Sequence, residues 1–187
     1  VQQLPPMLFR TGLGFYEVGI NCAKSIKAGT GDQLLMFLPS ATVNLIFAIE
    51  LFIKGIILVS TKKSVKGHYL ENLFSQLPDD IKIEIEADFN KHLELDKKKK
   101  ELGTFKMQIC KVGEEDSPNK IVEYEMTLTK LLLSHNKAFE NWRYNHEVGV
   151  EGYLYDSDLK ALNCLAKALM DCINRISKKE KIVKSIS

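Results

Sequence analysis

Apolar residues recur at helical spacing along most of this chain, and in one segment they nearly surround the helix. From Ser40 to Ser60 the sequence reads SATVNLIFAIELFIKGIILVS, a pattern that predicts either the centre of a helical bundle or a membrane span. Glu50 and Lys54 bear on that choice. Four residues apart, they share one helix face with the glutamate on the favoured N-terminal side. Inside an isolated span each ionised group would cost roughly 2.5–3.5 kcal/mol. The uninterrupted apolar stretch is also shorter than the roughly 18 residues a span requires. The expectation is a central bundle helix with no membrane. At about 100° per residue, Ser40, Asn44, Glu50, Lys54 and Thr61 fall within an arc of roughly 120° together with Phe47, Leu51 and Leu58. Such a semi-polar stripe suits a groove or an interface better than open solvent.

The remaining elements follow from periodicity and punctuation. Pro5 and Pro6 precede a helix from Met7 to about Ala28, ended by Gly29, Thr30 and Gly31. Asp32 to Leu38 is a short apolar piece before Pro39 and Ser40 open the central helix. Thr61 to Gly67, TKKSVKG, is a basic loop. A helix from His68 or Tyr69 to Leu77 is stopped by Pro78, and Asp79 and Asp80 cap another over Ile81 to Lys100. Within an irregular insertion at 103–119, TFKMQICKV alternates weakly as a short strand would. Ser117 and Pro118 open a helix from Asn119 to Arg143, with Leu128, Leu131, Leu132 and Phe139 as core candidates. VGVEGYLYD reads as irregular. Ser157 or Asp156 caps a last helix to about Lys179, followed by a frayed basic tail over 180–187. The sum is an all-α single domain over residues 1–187, with five or six helices and no convincing sheet.

Composition narrows the partners only a little. The 187 residues are 45% hydrophobic and 27% charged, ordinary for a globular chain that can bury a core. A net charge of +2 gives no global field for nucleic acid. Only Arg10, Arg143 and Arg175 supply guanidinium groups, the usual choice for bidentate phosphate recognition. Cys22, Cys110, Cys164 and Cys172 lack metal-ligand spacing. Cys164 and Cys172, eight apart, read as small packing residues on one helix face. With no signal-peptide pattern, a reducing cytoplasm is the expected setting. Neither a metal nor a cofactor is implied.

The usual catalytic signatures are missing: no phosphate-binding glycine loop, no HExxH, no CxxC and no GxSxG. The Lys97–Lys100 run reads as a solvated helix end favoured by the dipole. The densest cluster is AFENWRYNHE, Ala138 to Glu147. Arg143 lies three residues after Glu140 and four before Glu147, which permits a purely structural clamp. In the functional alternative Arg143 grips a phosphate, Trp142 or Tyr144 stacks on a base with Asn145 beside them, and His146 handles a proton. His68, at a helix start after Gly67, can cap that helix or bond to its neighbour. His92 and His135 show no partner spacing.

Taken in order, IELFIKGII, then GHYLENLF, then a WRY segment before a final amphipathic helix resemble the HEPN superfamily of helical-bundle proteins. The match rests on Glu50, Lys54, His68, Tyr69, Leu70, Arg143 and Tyr144. It covers Pro39–Leu77 and Ala138–Cys172. The resemblance implies an up-and-down bundle that dimerises around a cleft. It also implies a defence or toxin–antitoxin context. Many members are metal-independent ribonucleases; others bind RNA or nucleotides, or assemble with an antitoxin or a nucleotidyltransferase. In the ribonucleases an Arg is followed, after four to six residues, by a His. Here no Arg has a His at that spacing, and Arg143 and His146 have only two residues between them. The expectation is a non-catalytic or atypical homodimeric module that binds RNA, a nucleotide or a protein partner. Trp142, Arg143, Tyr144 and His146 would line its site with Asn145 and His68, and Glu50 and Lys54 would fix the facing helix. The rival is a metal-independent endoribonuclease using Arg143 and His146 at the dimer interface, and a third reading is a structural partner subunit.

Overall fold

Helical periodicity accounts for most of the observed architecture. The structure, a computed structural model, describes residues 4–26, 31–99, 102, 104–109, 126–136 and 153–186. They form α1 (Leu4–Ser25), α2 (Gly31–Thr61), α3 (Leu70–Ser75), α4 (Asp79–Lys99), β1 (Thr104–Ile109), α5 (Leu128–Ser134), β2 (Tyr153–Asp158) and α6 (Leu159–Ile186). The result is a mostly helical bundle, with six helices among the described residues, as the pattern predicts.

α2 is its axis and is longer than expected. Asp32–Leu38 is the first part of the same helix, and Pro39 lies inside it. A proline there removes one ladder bond; beside it, Thr42 Oγ1 donates to the Leu38 carbonyl at 2.8 Å and Asn44 Nδ2 to the Ser40 carbonyl at 2.7 Å. With this extension α2 is long and apolar enough, by length and composition, to cross a bilayer. That corrects the expectation of too short a stretch. In the fold, 61% of the apolar window is buried, because α1, α3 and α6 pack around it.

α1 and α2 run antiparallel in close approach. A Cβ at Gly12 would lie 2.6 Å from Phe52 Cε1, and one at Gly19 would lie 3.0 Å from the Leu45 backbone nitrogen. Only glycine admits the neighbouring helix so closely. α6 also packs on α2 and supplies Leu159, Leu162, Leu165 and Leu169, all fully buried. Two polar links reinforce this packing: Tyr16 Oη on α1 donates to Asn163 Oδ1 on α6 at 2.9 Å, and the hydroxyls of Thr42 on α2 and Ser157 on β2 are 2.5 Å apart.

α4 packs antiparallel on α6 through a charged ladder. Glu84, Asp88, His92 and Asp96 recur every fourth residue and so share one face of α4. Arg175 meets Asp88 at 2.6 Å and Glu84 at 3.0 Å, His92 Nε2 meets Asp171 at 2.8 Å, and Lys160 approaches buried Asp96 at 3.8 Å. Burial opposes the Arg175 charge, but the Asp88 hydrogen bond and the two carboxylates more than offset it, so its pKa is raised.

Other boundaries also differ from the sequence reading: α1 begins at Leu4 with Pro5 and Pro6 in its first turn and ends at Ser25, and α3 is shorter, Leu70–Ser75. The weakly alternating segment is strand β1, and it pairs antiparallel with β2, from Thr104 opposite Asp158 to Ile109 opposite Tyr153. The expectation of no sheet, with 153–158 irregular, is thereby corrected. α5 starts at Leu128, where Thr127 Oγ1 accepts from Lys130 N at 3.3 Å, and it ends in a turn at His135 and Asn136. The flanks of the expected 119–143 helix lie outside the described residues. α6 is capped by Asp158, whose Oδ1 accepts from Ala161 N at 2.8 Å, and it continues to Ile186. The Ser157 hydroxyl is engaged by Thr42, so it does not cap, and the tail expected to be frayed is helical in backbone.

Cys164 and Cys172 are core residues, each 1% exposed, as their spacing predicts. Burial first, and then the Asp96 carboxylate, push the Cys164 thiol from an ordinary 9.0 to about 12. The fold therefore favours the neutral thiol. The sign of the linkage follows. The Cys164 contribution to stability is complete below about pH 9 and is lost progressively as the pH rises towards 12. At pH 8 a chromogenic thiol reagent should modify Cys164 only in denaturant. Full reaction of Cys164 in the native protein would contradict its burial.

Candidate functional site

The site forms where α2 hands over to α3. Glu50 and Lys54 stand one turn apart on α2, and Lys54 Nζ donates to Glu50 Oε1 at 2.7 Å. α2 ends at Thr61, where the hydroxyl donates to the Ile57 carbonyl and accepts from Lys63 N. The chain then turns back through 62–69. Lys62 has φ 60 and Gly67 φ +99, the left-handed region that glycine enters without cost. Among the described residues nothing lies within 4 Å of a Cβ built at Gly67, so backbone conformation, not space, calls for glycine there.

This turn lays His68 against Glu50. His68 Nδ1 is 3.0 Å from Glu50 Oε1 and 3.2 Å from Oε2. The carboxylate is buried, with its side chain 7% exposed, whereas the imidazole is 71% exposed. An ionised carboxylate can only accept, so Nδ1 carries the hydrogen and donates it. In the neutral ring Nε2 is then the basic nitrogen. A carboxylate that fixes ring orientation and tautomer in this way prepares the outer nitrogen to take a proton, or, once charged, to donate to an anion.

The loop that leads to His68 is rich in lysine. Lys62, Lys63 and Lys66 are exposed on the loop, and the Tyr69 ring is 42% exposed next to His68. A second brace comes from α5. Asn136 Oδ1 accepts from Glu71 N at 2.9 Å, and Asn136 Nδ2 donates to Glu71 Oε2 at 3.2 Å. The first turn of α3 is thus held to α2 through His68 and to the end of α5 through Glu71.

Of the residues expected in the site, the fold brings Glu50, Lys54 and His68 together. Trp142, Arg143, Tyr144, Asn145 and His146 lie outside the described residues. Two histidines without an assignment acquire partners: His92 in the α4–α6 ladder, and His135, buried at the end of α5 with Nδ1 2.8 Å from Ser134 Oγ. No local signal could have paired His92 with Asp171, because they belong to different helices far apart in sequence. Among the described residues, no three His, Cys, Asp or Glu side chains gather as metal ligands. Compared with protein families, curated proteins and solved structures, the chain finds no match.

Proposed function

We propose that this protein is a HEPN-like up-and-down bundle that binds a phosphate-bearing ligand, RNA or a nucleotide, as a cytoplasmic homodimer without cleaving it. The observation that carries this reading is the exposed His68 imidazole, held by buried Glu50 at the end of a loop that exposes Lys62, Lys63 and Lys66. Lysines supply sequence-independent attraction to phosphates. The oriented ring adds a directional donor, and Tyr69 offers a face on which a base can stack. A role in defence or toxin–antitoxin assemblies, with an antitoxin or nucleotidyltransferase as partner, follows from the resemblance.

Anisotropy titrations with a labelled single-stranded RNA test the binding. Replacing Lys62, Lys63 and Lys66 by Glu should weaken affinity about a hundredfold at low salt and flatten the salt dependence. Unchanged affinity in the folded variant would remove the loop from the site.

The second reading, a metal-independent endoribonuclease using Arg143 and His146, draws support from the same imidazole, since a carboxylate-oriented His is suited to general base work. Cleavage of total RNA in EDTA decides between the two. Wild-type cleavage abolished by His146→Ala or His68→Ala would establish the enzyme. A folded protein that binds RNA and leaves it intact is the expected result.

A further inference from the structure

α1 buries one face on α2 and turns the opposite face outward. That outer face carries Met7, 57% exposed, Val18, 49% exposed, and the exposed residues Arg10, Thr11, Gly14 and Glu17. Met7, Thr11, Gly14 and Val18 step by four, three and four residues, the spacing of a helix–helix seam. Gly14 is at the centre of the seam, and a Cβ built there meets nothing within 4 Å among the described residues. The glycines that press on α2 are Gly12 and Gly19, so packing among the described residues gives no reason for a glycine at position 14. Arg10 and Glu17, two turns apart, line one edge of the seam, and neither makes an ion pair among the described residues.

We propose that α1 is the homodimer interface, packing antiparallel on α1 of a second copy with the two-fold axis passing beside Gly14. This rests on the homodimer in the reading above and specifies the face. A two-fold perpendicular to two antiparallel helices places residue i opposite residue j, and j opposite i. With Gly14 meeting Gly14 of the second copy, Thr11 and the second copy's Val18 lie within about one residue's rise of each other, as do Arg10 and Glu17. The same operation keeps each edge of the helix on its own side. The charged edges therefore meet as two reciprocal Arg–Glu pairs, and the apolar edges meet each other. Oppositely charged residues two turns apart on one edge of a helix fit a second copy of that helix in this register. The bare backbone at Gly14 allows the close approach. One helix face is smaller than a standard interface, so the affinity should be about micromolar.

Sedimentation velocity on the full chain tests the proposal, with circular dichroism as the check on folding. Wild type should dimerise. Gly14→Leu adds bulk only outside the protomer, and Glu17→Arg sets like charges opposite Arg10; each should raise the dissociation constant at least about tenfold. The double exchange R10E/E17R should restore it to near the wild-type value. A wild type that stays monomeric at about 100 μM would overturn both the interface and the dimer. A dimer untouched by Gly14→Leu and Glu17→Arg overturns this interface alone and leaves the homodimer standing. A failure of the double exchange to restore association overturns the register.

Discussion

Phe52→Ala should lower the free energy of unfolding by about 3–5 kcal/mol, the largest effect expected of any single truncation here. Phe52 is fully buried on α2, and its ring fills the space that the missing side chain of Gly12 leaves on α1. Truncation removes the transfer free energy of the ring and opens a cavity that two closely packed backbones cannot collapse to fill. Urea unfolding followed by circular dichroism measures the loss as a drop in the midpoint at constant slope. The pairing has a second signature. Gly12→Ala alone brings a Cβ to within 2.6 Å of the Phe52 ring and should destabilise by about 1–3 kcal/mol. Added to Phe52→Leu, the same Ala should cost much less. Additive losses in this cycle would show that the two positions do not share one space.

Glu50→Ala should cost about 1–3 kcal/mol and free the His68 ring. Two groups lose their acceptor at once, Lys54 at 2.7 Å and His68 at 3.0 Å. Breaking a fully buried pair costs more, about 3–5 kcal/mol. Here the Lys54 and His68 side chains, 17% and 71% exposed, can both turn to water, which brings the figure down. Glu50→Gln, which keeps the shape and an acceptor, should lose less than Ala. The RNA titration then separates fold from function. If Glu50 orients His68 for a ligand, Glu50→Ala weakens binding even though it makes the site more positive. Tighter binding would mean that charge alone governs the surface and that the orientation of the imidazole is irrelevant.

The α2–α3 corner was legible in the sequence because its signals are local. Glu50 and Lys54 are paired by helical spacing, and Gly67 before His68 marks a left-handed turn that brings the chain back. Even so, the sequence allowed His68 either to cap α3 or to bond to its neighbour, and packing chose the neighbour. Tyr69 occupies the cap position and contributes no side-chain bond. The extent of α2 was harder to read. Pro39 reads as a start signal, yet a proline forfeits one ladder bond, and burial across α1 and α6 outweighs that loss.

Features set within a few residues can be read from the order of residues alone: most of the helices, the apolar axis, the Glu50–Lys54 pair, the basic loop and the burial of Cys164 and Cys172. Others depend on partners far along the chain and arise only when the fold closes. Strand β1 becomes a strand because β2 pairs with it, and Ser157 yields the cap of α6 to Asp158 because Thr42 takes its hydroxyl. His92 meets Asp171, and Asn136 closes on Glu71, only once their helices pack. Helical spacing is a property of the local backbone and can be read from the order of residues. A cross-chain hydrogen bond depends on which surfaces the whole core brings together, and no local pattern encodes it.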